Sequence, residues 1–298
     1  MIDRLKNNKA FFIVCIILLI LGIISIKNYI KDDIQFKNNY NEIYEKCKKN
    51  DDNKILCDNH YDTLKNRDTL STFGYITIVY DTIYCLQLLA PLLVIIASTW
   101  NFHKYLRKGY LVNSISRIGY KKSIKNLYLN AIKGALIIPG FLFIIFIISL
   151  ILSRNFDYTY GIAKYGFDAY GVNNYQLWYI FIPIYLLNFA LHSIFWINIS
   201  ILNCSHNKNI IINIIISYIE YLMIFLIFEL VFVGIIFANT KYILYFNLTN
   251  IWAYTDVSLS GMVLISLLLS MGSTFIVYLT YKNKEKILNE LEKWNILF

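Results

Sequence analysis

Four ionisable side chains fall inside long apolar segments of the chain: Asp81, His192, Glu220 and Glu229. A charged group at membrane depth is costly and as a rule faces the interior of a helix bundle or water, where it can line a path for a solute. Glu220 and Glu229 lie nine positions apart. A helix turns through about 900° over that distance, so the two carboxylates point to opposite faces. We therefore expect single carboxylates along a substrate pathway, and a structural role between helices is the alternative.

Two amide side chains accompany His192 in the same apolar segment. Asn188 lies four positions before His192, which places both on one face of a helix, and Asn203 returns to about that face eleven positions after His192. Side chains of this kind join neighbouring helices through hydrogen bonds in membrane proteins. We interpret the two asparagines in this way.

Catalytic motifs are missing from the sequence. No Gly-Lys pair occurs, which excludes the P-loop that cradles nucleotide phosphates, and neither G-x-S-x-G nor H-E-x-x-H is present. The four histidines, His60, His103, His192 and His206, fall in four different segments, which does not favour a metal site or a catalytic triad. We expect neither an enzyme nor a cofactor site on this chain.

Cys47 and Cys57 lie ten positions apart in the longest polar region of the chain. In an oxidising compartment such a pair closes a small disulfide loop, and two free thiols are the alternative. A structural zinc site requires four ligands, and only His60 lies near the two cysteines. We expect the disulfide.

The composition places these residues in a membrane protein. Hydrophobic residues make up 57% of the 298 and charged residues only 16%, whereas a soluble domain has about 25% charged residues. The apolar residues come in runs of membrane length, typical of transmembrane helices. We expect an all-α integral membrane protein, one transmembrane domain over 1–298, whose first helix is not removed as a signal peptide. Its six spans are predicted at about 10–26, 75–98, 134–153, 179–202, 210–237 and 261–281.

The distribution of charge predicts the orientation of these spans. The loop at 99–133 carries eight Lys and Arg residues and no Asp or Glu, and the positive-inside rule places such a loop in the cytoplasm. Both termini then lie inside, and the 48-residue loop at 27–74 lies outside. The net charge of +9 is thereby confined to one face, which indicates topology and not nucleic-acid binding. Abundant Ile, Asn, Lys and Tyr are typical of an AT-rich bacterial genome, so we expect the bacterial cell membrane.

The basic loop contains the pattern of a short amphipathic helix. Leu111, Ile115 and Ile118 recur at helical spacing, while the polar residues between them face elsewhere. Gly109 and Gly119 are suited to ending helices on either side. The pattern predicts about two turns of helix along the membrane surface. A connector whose basic residues bind anionic lipid head groups is one interpretation.

The stretch R-K-G-Y-L-V-N-S-I-S-R-I-G-Y-K-K-S at 107–123, set between the second and third of six spans, resembles the permease subunits of type-2 ABC exporters. The resemblance implies that this segment is a coupling helix that docks onto a separate P-loop ATPase, which binds ATP and magnesium. It implies pairing with a second permease copy or a homologous permease. The residues it assigns to docking are Asn113, Ser114, Ile115, Ser116, Arg117, Ile118, Gly119 and Tyr120.

Three departures from that family narrow the expected substrate. Arg107-Lys108 replaces the acidic residue that often precedes the glycine, nine residues leave no room for an N-terminal amphipathic helix, and the first outer loop is large. They disfavour glycan export and favour a small molecule or peptide, as in lantibiotic-type self-protection permeases. Two other functions stay open. One is a membrane sensor or immunity protein that binds a ligand through its outer loop, and the other is a lipid-modifying enzyme that uses an intramembrane acid.

Overall fold

The computed structural model describes residues 9–48, 69–74, 76, 82–107, 110–153, 178–207, 209–228, 230–231, 235 and 259–283. These residues include nine α-helices and one 3-10 helix, and no strand occurs among them. The helices are α1 (Lys9–Lys48), α2 (Thr69–Gly74), α3 (Thr82–Arg107), α4 (Tyr110–Ile118), α5 (Tyr120–Ile132), the 3-10 helix (Lys133–Leu136), α6 (Ile137–Ser153), α7 (Trp178–Cys204), α8 (Ile210–Ile227) and α9 (Leu259–Lys282). The all-α class expected from the sequence is confirmed over this part of the chain.

Five helical segments in the described residues are long and apolar enough to cross a membrane. They are Lys9–Gln35, Tyr120–Ser153, Ile182–Cys204, Ile210–Ile227 and Val263–Lys282. Each overlaps one of the six expected spans. The remaining expected span, 75–98, begins largely outside the described residues and continues into α3. The described part of the chain is thus all-helical, with several membrane-length segments, as in a multi-pass membrane protein.

α1 is longer than the sequence suggests. Its apolar run ends at Ile26, but the helix continues through a charged second half to Lys48. That half contains neither Gly nor Pro, so nothing in it interrupts the backbone hydrogen bonds. The polar region that follows Lys27 therefore begins as part of one 40-residue helix that ends at Lys48. A change from apolar to charged composition marks where a helix meets water and not where the helix ends.

The basic segment at 99–133 is also mainly helical and not an open loop. α3 extends into it as far as Arg107, α4 occupies its centre, and α5 and the 3-10 helix lead directly into α6. The 3-10 turn lies just before Pro139, which has no N–H for the Ala135 carbonyl and whose ring crowds that carbonyl. Gly134 in this turn packs against Ser98 of α3, where an added Cβ would overlap Ser98 Oγ.

α7 is the central helix of the bundle. Of its most apolar stretch 67% is buried, against 22% for each of α8 and α9. α9 runs parallel to it, because hydrogen bonds join Asn198 to Ser273 (2.9 Å) and, further along both helices, Tyr281 Oη to the Ile201 carbonyl (2.7 Å). Polar contacts therefore follow the interface between α7 and α9 along its length.

Candidate functional site

α4 presents one face to the bundle and one face outward. Leu111 is buried, at 1% exposure, while the next residue, Val112, is 60% exposed. The exposed side combines apolar and polar groups; we name it the α4 surface, and it consists of Val112, Asn113, Ser116, Arg117 and Ile118. The helix predicted from the apolar spacing is confirmed. Ile118, which its spacing places on the same face as Leu111, is 40% exposed; it is the last residue of α4, before the turn at Gly119.

Gly119 joins α4 rigidly to α5. Its φ of 79° is one that side-chain-bearing residues rarely adopt, and a Cβ there would meet no atom within 4 Å. Glycine is thus required by the backbone conformation and not by space. The Gly119 carbonyl accepts hydrogen bonds from the Ser123 amide (3.1 Å) and hydroxyl (2.8 Å). Ser123 Oγ also lies 2.9 Å from Ser114 Oγ, which fixes the angle between the two helices.

Tyr120 belongs to α5 and not to the short helix, so the docking segment expected at 113–120 spans two helices. Its hydroxyl donates to the Tyr281 carbonyl of α9 at 2.8 Å. Tyr281 in turn packs its ring edge-on against Phe102 of α3, with centroids 5.9 Å apart, and bonds to Ile201 of α7. One contact chain thus links α4 and α5 to α3, α7 and α9.

The surface around α4 is electropositive. Arg117, Lys121, Lys122 and Lys125 are all exposed, and 99–133 contains no acidic residue to balance them. Clustered charges of one sign attract an opposite surface over about 10 Å at physiological salt. An acidic protein surface and anionic lipid head groups both satisfy this condition.

His192 and Asn188 share one face of α7, as their spacing predicts. Both contact Ser266 of α9: His192 Nδ1 lies 2.7 Å from its hydroxyl oxygen, and that hydroxyl donates to Asn188 Oδ1. Asn203, expected on the same face, instead donates to Ser217 Oγ at 3.2 Å on α8. Asn203 lies in the last turn of α7, where α8 is the helix within its reach.

Glu220 is not buried in the bundle. It is exposed on α8, and one carboxylate oxygen accepts a hydrogen bond of 2.5 Å from Asn203 Nδ2. The buried face of α8 consists of Asn213, Ile214, Ser217 and Tyr221, and Glu220 lies at the edge of that face. His192 and Glu220 therefore occupy different environments and do not form one site.

The remaining expected site residues cannot be placed. Asp81, Glu229 and Cys57 lie outside the described residues, as does the side chain of Cys47. The expected disulfide and the two other intramembrane acids thus stay predictions. Among the described residues, no three His, Cys, Asp or Glu side chains lie close enough to hold a metal ion.

A second polar cluster at the α7–α9 interface was not predicted from the sequence. Asn198 donates to Ser273 Oγ (2.9 Å) and Thr274 Oγ1 (3.0 Å), and its Oδ1 accepts from Tyr128 Oη of α5 (3.0 Å). The sequence feature that could have indicated this cluster is a set of serines at 266, 270 and 273 in an otherwise apolar segment. Serines at spacings of four and three lie on one helix face and mark the side that packs against another helix.

The chain matches no known family model, no curated protein and no solved structure. The features that bear on its function are therefore its own α4 surface and α7–α9 interface.

Proposed function

We propose that this chain is the membrane-spanning permease subunit of an ATP-binding-cassette exporter. The observation that carries the proposal is α4, a short helix anchored to the bundle through Leu111 that leaves Val112, Asn113 and Arg117 exposed on its outer side. A helix held in this way leaves an exposed surface for a partner. The chain has no P-loop, so the energy source must lie on a separate ATPase.

The residue types on the α4 surface favour a protein partner over lipid. A helix that lies in the membrane interface buries its apolar face among acyl chains, but protein already covers Leu111. Two apolar side chains, Val112 and Ile118, remain exposed on the same short helix as Arg117. Apolar contact area combined with arginine is typical of the cores of protein–protein interfaces.

In the proposed mechanism ATP and magnesium bind to the partner ATPase, whose closure moves α4. Gly119 and Ser123 transfer this motion to α5, and Tyr120 transfers it to α9 through Tyr281. The spans respond as rigid bodies in alternating access. A second permease copy or a homologous permease completes the assembly in the bacterial plasma membrane. The substrate is a small molecule, a peptide or a lipid-like compound.

The test is purification from native membranes in mild detergent, followed by identification of the co-purifying proteins by mass spectrometry. A P-loop ATPase in about equal amount is the expected result. Recovery of the chain alone, under conditions that preserve other transporter complexes of the same cell, would contradict the proposal. It would favour a ligand-binding sensor instead.

Tyr120→Phe tests the path from α4 to α9. The substitution keeps the ring and removes the hydroxyl that donates to the Tyr281 carbonyl at 2.8 Å, a bond worth about 1 kcal/mol. We expect ATPase binding to be unchanged and the amount of solute moved per ATP hydrolysed to fall severalfold, measured in proteoliposomes. Tyr278→Phe removes a hydroxyl from the exposed side of α9 and is the matched control. Equal coupling in the two variants would exclude this path.

A further inference from the structure

Buried polar atoms without hydrogen-bond partners are concentrated on one stretch of α7. In the part of the chain that the structure describes there are six residues with such atoms, and four of them lie within nine positions: Asn188, His192, Ser193 and Trp196. All four are at most 2% exposed. Three are nitrogens on a common helix face: Asn188 Nδ2, His192 Nε2 and Trp196 Nε1. We name these three side chains the α7 seam.

The hydrogen bonds around Ser266 define what each nitrogen offers. The Ser266 hydroxyl donates to Asn188 Oδ1, so its single hydrogen is not directed at His192. His192 Nδ1 must then donate to Ser266 Oγ across their separation of 2.7 Å. In the neutral imidazole this leaves Nε2 as an acceptor. The seam thus presents an amide donor, an imidazole acceptor and an indole donor over about 12 Å of helix.

Burial of these three nitrogens without hydrogen-bond partners is energetically unfavourable while α7 and α9 are packed together. A buried polar group without a partner loses its hydration and gains nothing in return. Lipid around the bundle cannot supply the missing bonds. A second state in which α7 and α9 separate would let water satisfy all three nitrogens. Two of the contacts that hold α7 against α9 pass through Ser266. Trp196 packs edge-on against Tyr221 of α8, with ring centroids 5.9 Å apart, and so lies beside a third helix.

We propose that the α7 seam lines a hydrated passage that opens between α7 and α9 and takes uncharged polar groups. Its side chains offer both donors and acceptors, which suits hydroxyl, carbonyl and amide groups as well as water. Glu220, the ionisable group on neighbouring α8, is exposed and bonded to Asn203 instead. The opening itself does not depend on the proposed export function. Only its control by ATP rests on that function.

The test uses single cysteines in the full-length chain after the five native cysteines are replaced by alanine. Ser193→Cys places a thiol beside His192, and Ser270→Cys places one on α9, one turn from Ser266 on the face that packs against α7. Both sites are buried, and both substitutions leave the Ser266 bonds intact. Ser149→Cys on α6 is the control, because Ser149 is 0% exposed and lies outside the seam. Thermal unfolding of each variant in detergent verifies that it is folded.

A membrane-impermeant, charged thiosulfonate is added to membrane vesicles, and the labelling rate is followed by mass spectrometry. The reactive thiolate forms only where water reaches the sulfur, so we expect Ser193→Cys and Ser270→Cys to react about tenfold faster than Ser149→Cys or more. This result supports the passage even if no ATPase co-purifies. Failure to recover an ATPase would contradict only the proposed export function. Rates equal to that of Ser149→Cys, in vesicles with and without ATP, would overturn the inference even where export continues.

Discussion

Arg117→Glu should uncouple the chain from its ATPase while leaving it folded in the membrane. Arg117 is the charged member of the α4 surface and lies in the last turn of a helix whose opposite side is anchored through Leu111. Losing one central arginine from a protein interface costs about 2 kcal/mol or more, roughly a 30-fold loss of affinity. Reversal of the charge adds repulsion against an acidic partner surface. Binding of the ATPase to vesicles that contain the variant measures the effect.

The matched control for this experiment is Lys125→Glu. It makes the same change of charge at an exposed position of α5, outside the α4 surface. It also changes the net charge of the basic segment, which determines orientation in the membrane, by the same amount as Arg117→Glu. We expect ATPase binding to Lys125→Glu to stay within a few fold of the unmodified chain. An equal loss in both variants would indicate general attraction to a basic face and not docking on α4. No loss in Arg117→Glu would remove this residue from the interface.

Gly134→Val is expected to have the largest effect on stability. Gly134 lies where the 3-10 turn meets α3, and its added Cβ would overlap Ser98 Oγ and lie 3.0 Å from Ser98 Cβ. Rotation of the Ser98 hydroxyl relieves the first contact but not the second. Overpacking of a close contact costs about 1–3 kcal/mol and sometimes more, and valine has two further methyl groups. The midpoint of thermal unfolding in detergent should fall by several degrees.

A second substitution, at Ser98 on the other side of this contact, should restore the lost stability. Ser98→Gly removes the two closest atoms and leaves Ser98 Cα at 3.4 Å from the new Cβ, so the double variant with Gly134→Ala should recover most of the stability that Gly134→Ala loses. Gly140→Val on α6 is the control, because a Cβ there meets no atom within 4 Å. If Gly140→Val were destabilised as severely as Gly134→Val, the effect would result from β-branching and not from contact with Ser98.

The sequence carries enough information to predict α4 and the α7 face. Gly119 and the apolar spacing of Leu111 and Ile115 determine α4 through local geometry alone, and the structure confirms it. Asn188 and His192 share a face because four positions make about one turn. These features depend on helical periodicity, which the order of residues encodes directly.

What the sequence could not supply depends on contacts between distant segments. Ser266, 74 positions after His192, is one serine among many until the packing of α9 on α7 is known. The exposure of Glu220 and its bond to Asn203 could not be predicted for the same reason, since periodicity does not show which side of α8 its neighbours cover. Charge locates the membrane surface and not the end of a helix, so the sequence does not show that α1 continues to Lys48.

Site-specific photocrosslinking shows directly whether the α4 surface contacts an ATPase, as we propose. A photoreactive amino acid at Val112, which is 60% exposed, would be activated in intact cells and its adducts identified by mass spectrometry. The same residue type at Leu136, 65% exposed within the apolar span, is the control. We expect an adduct with a P-loop ATPase from Val112 and none from Leu136. Adducts from Val112 with lipid alone, or with the ATPase from both positions equally, would contradict docking through α4.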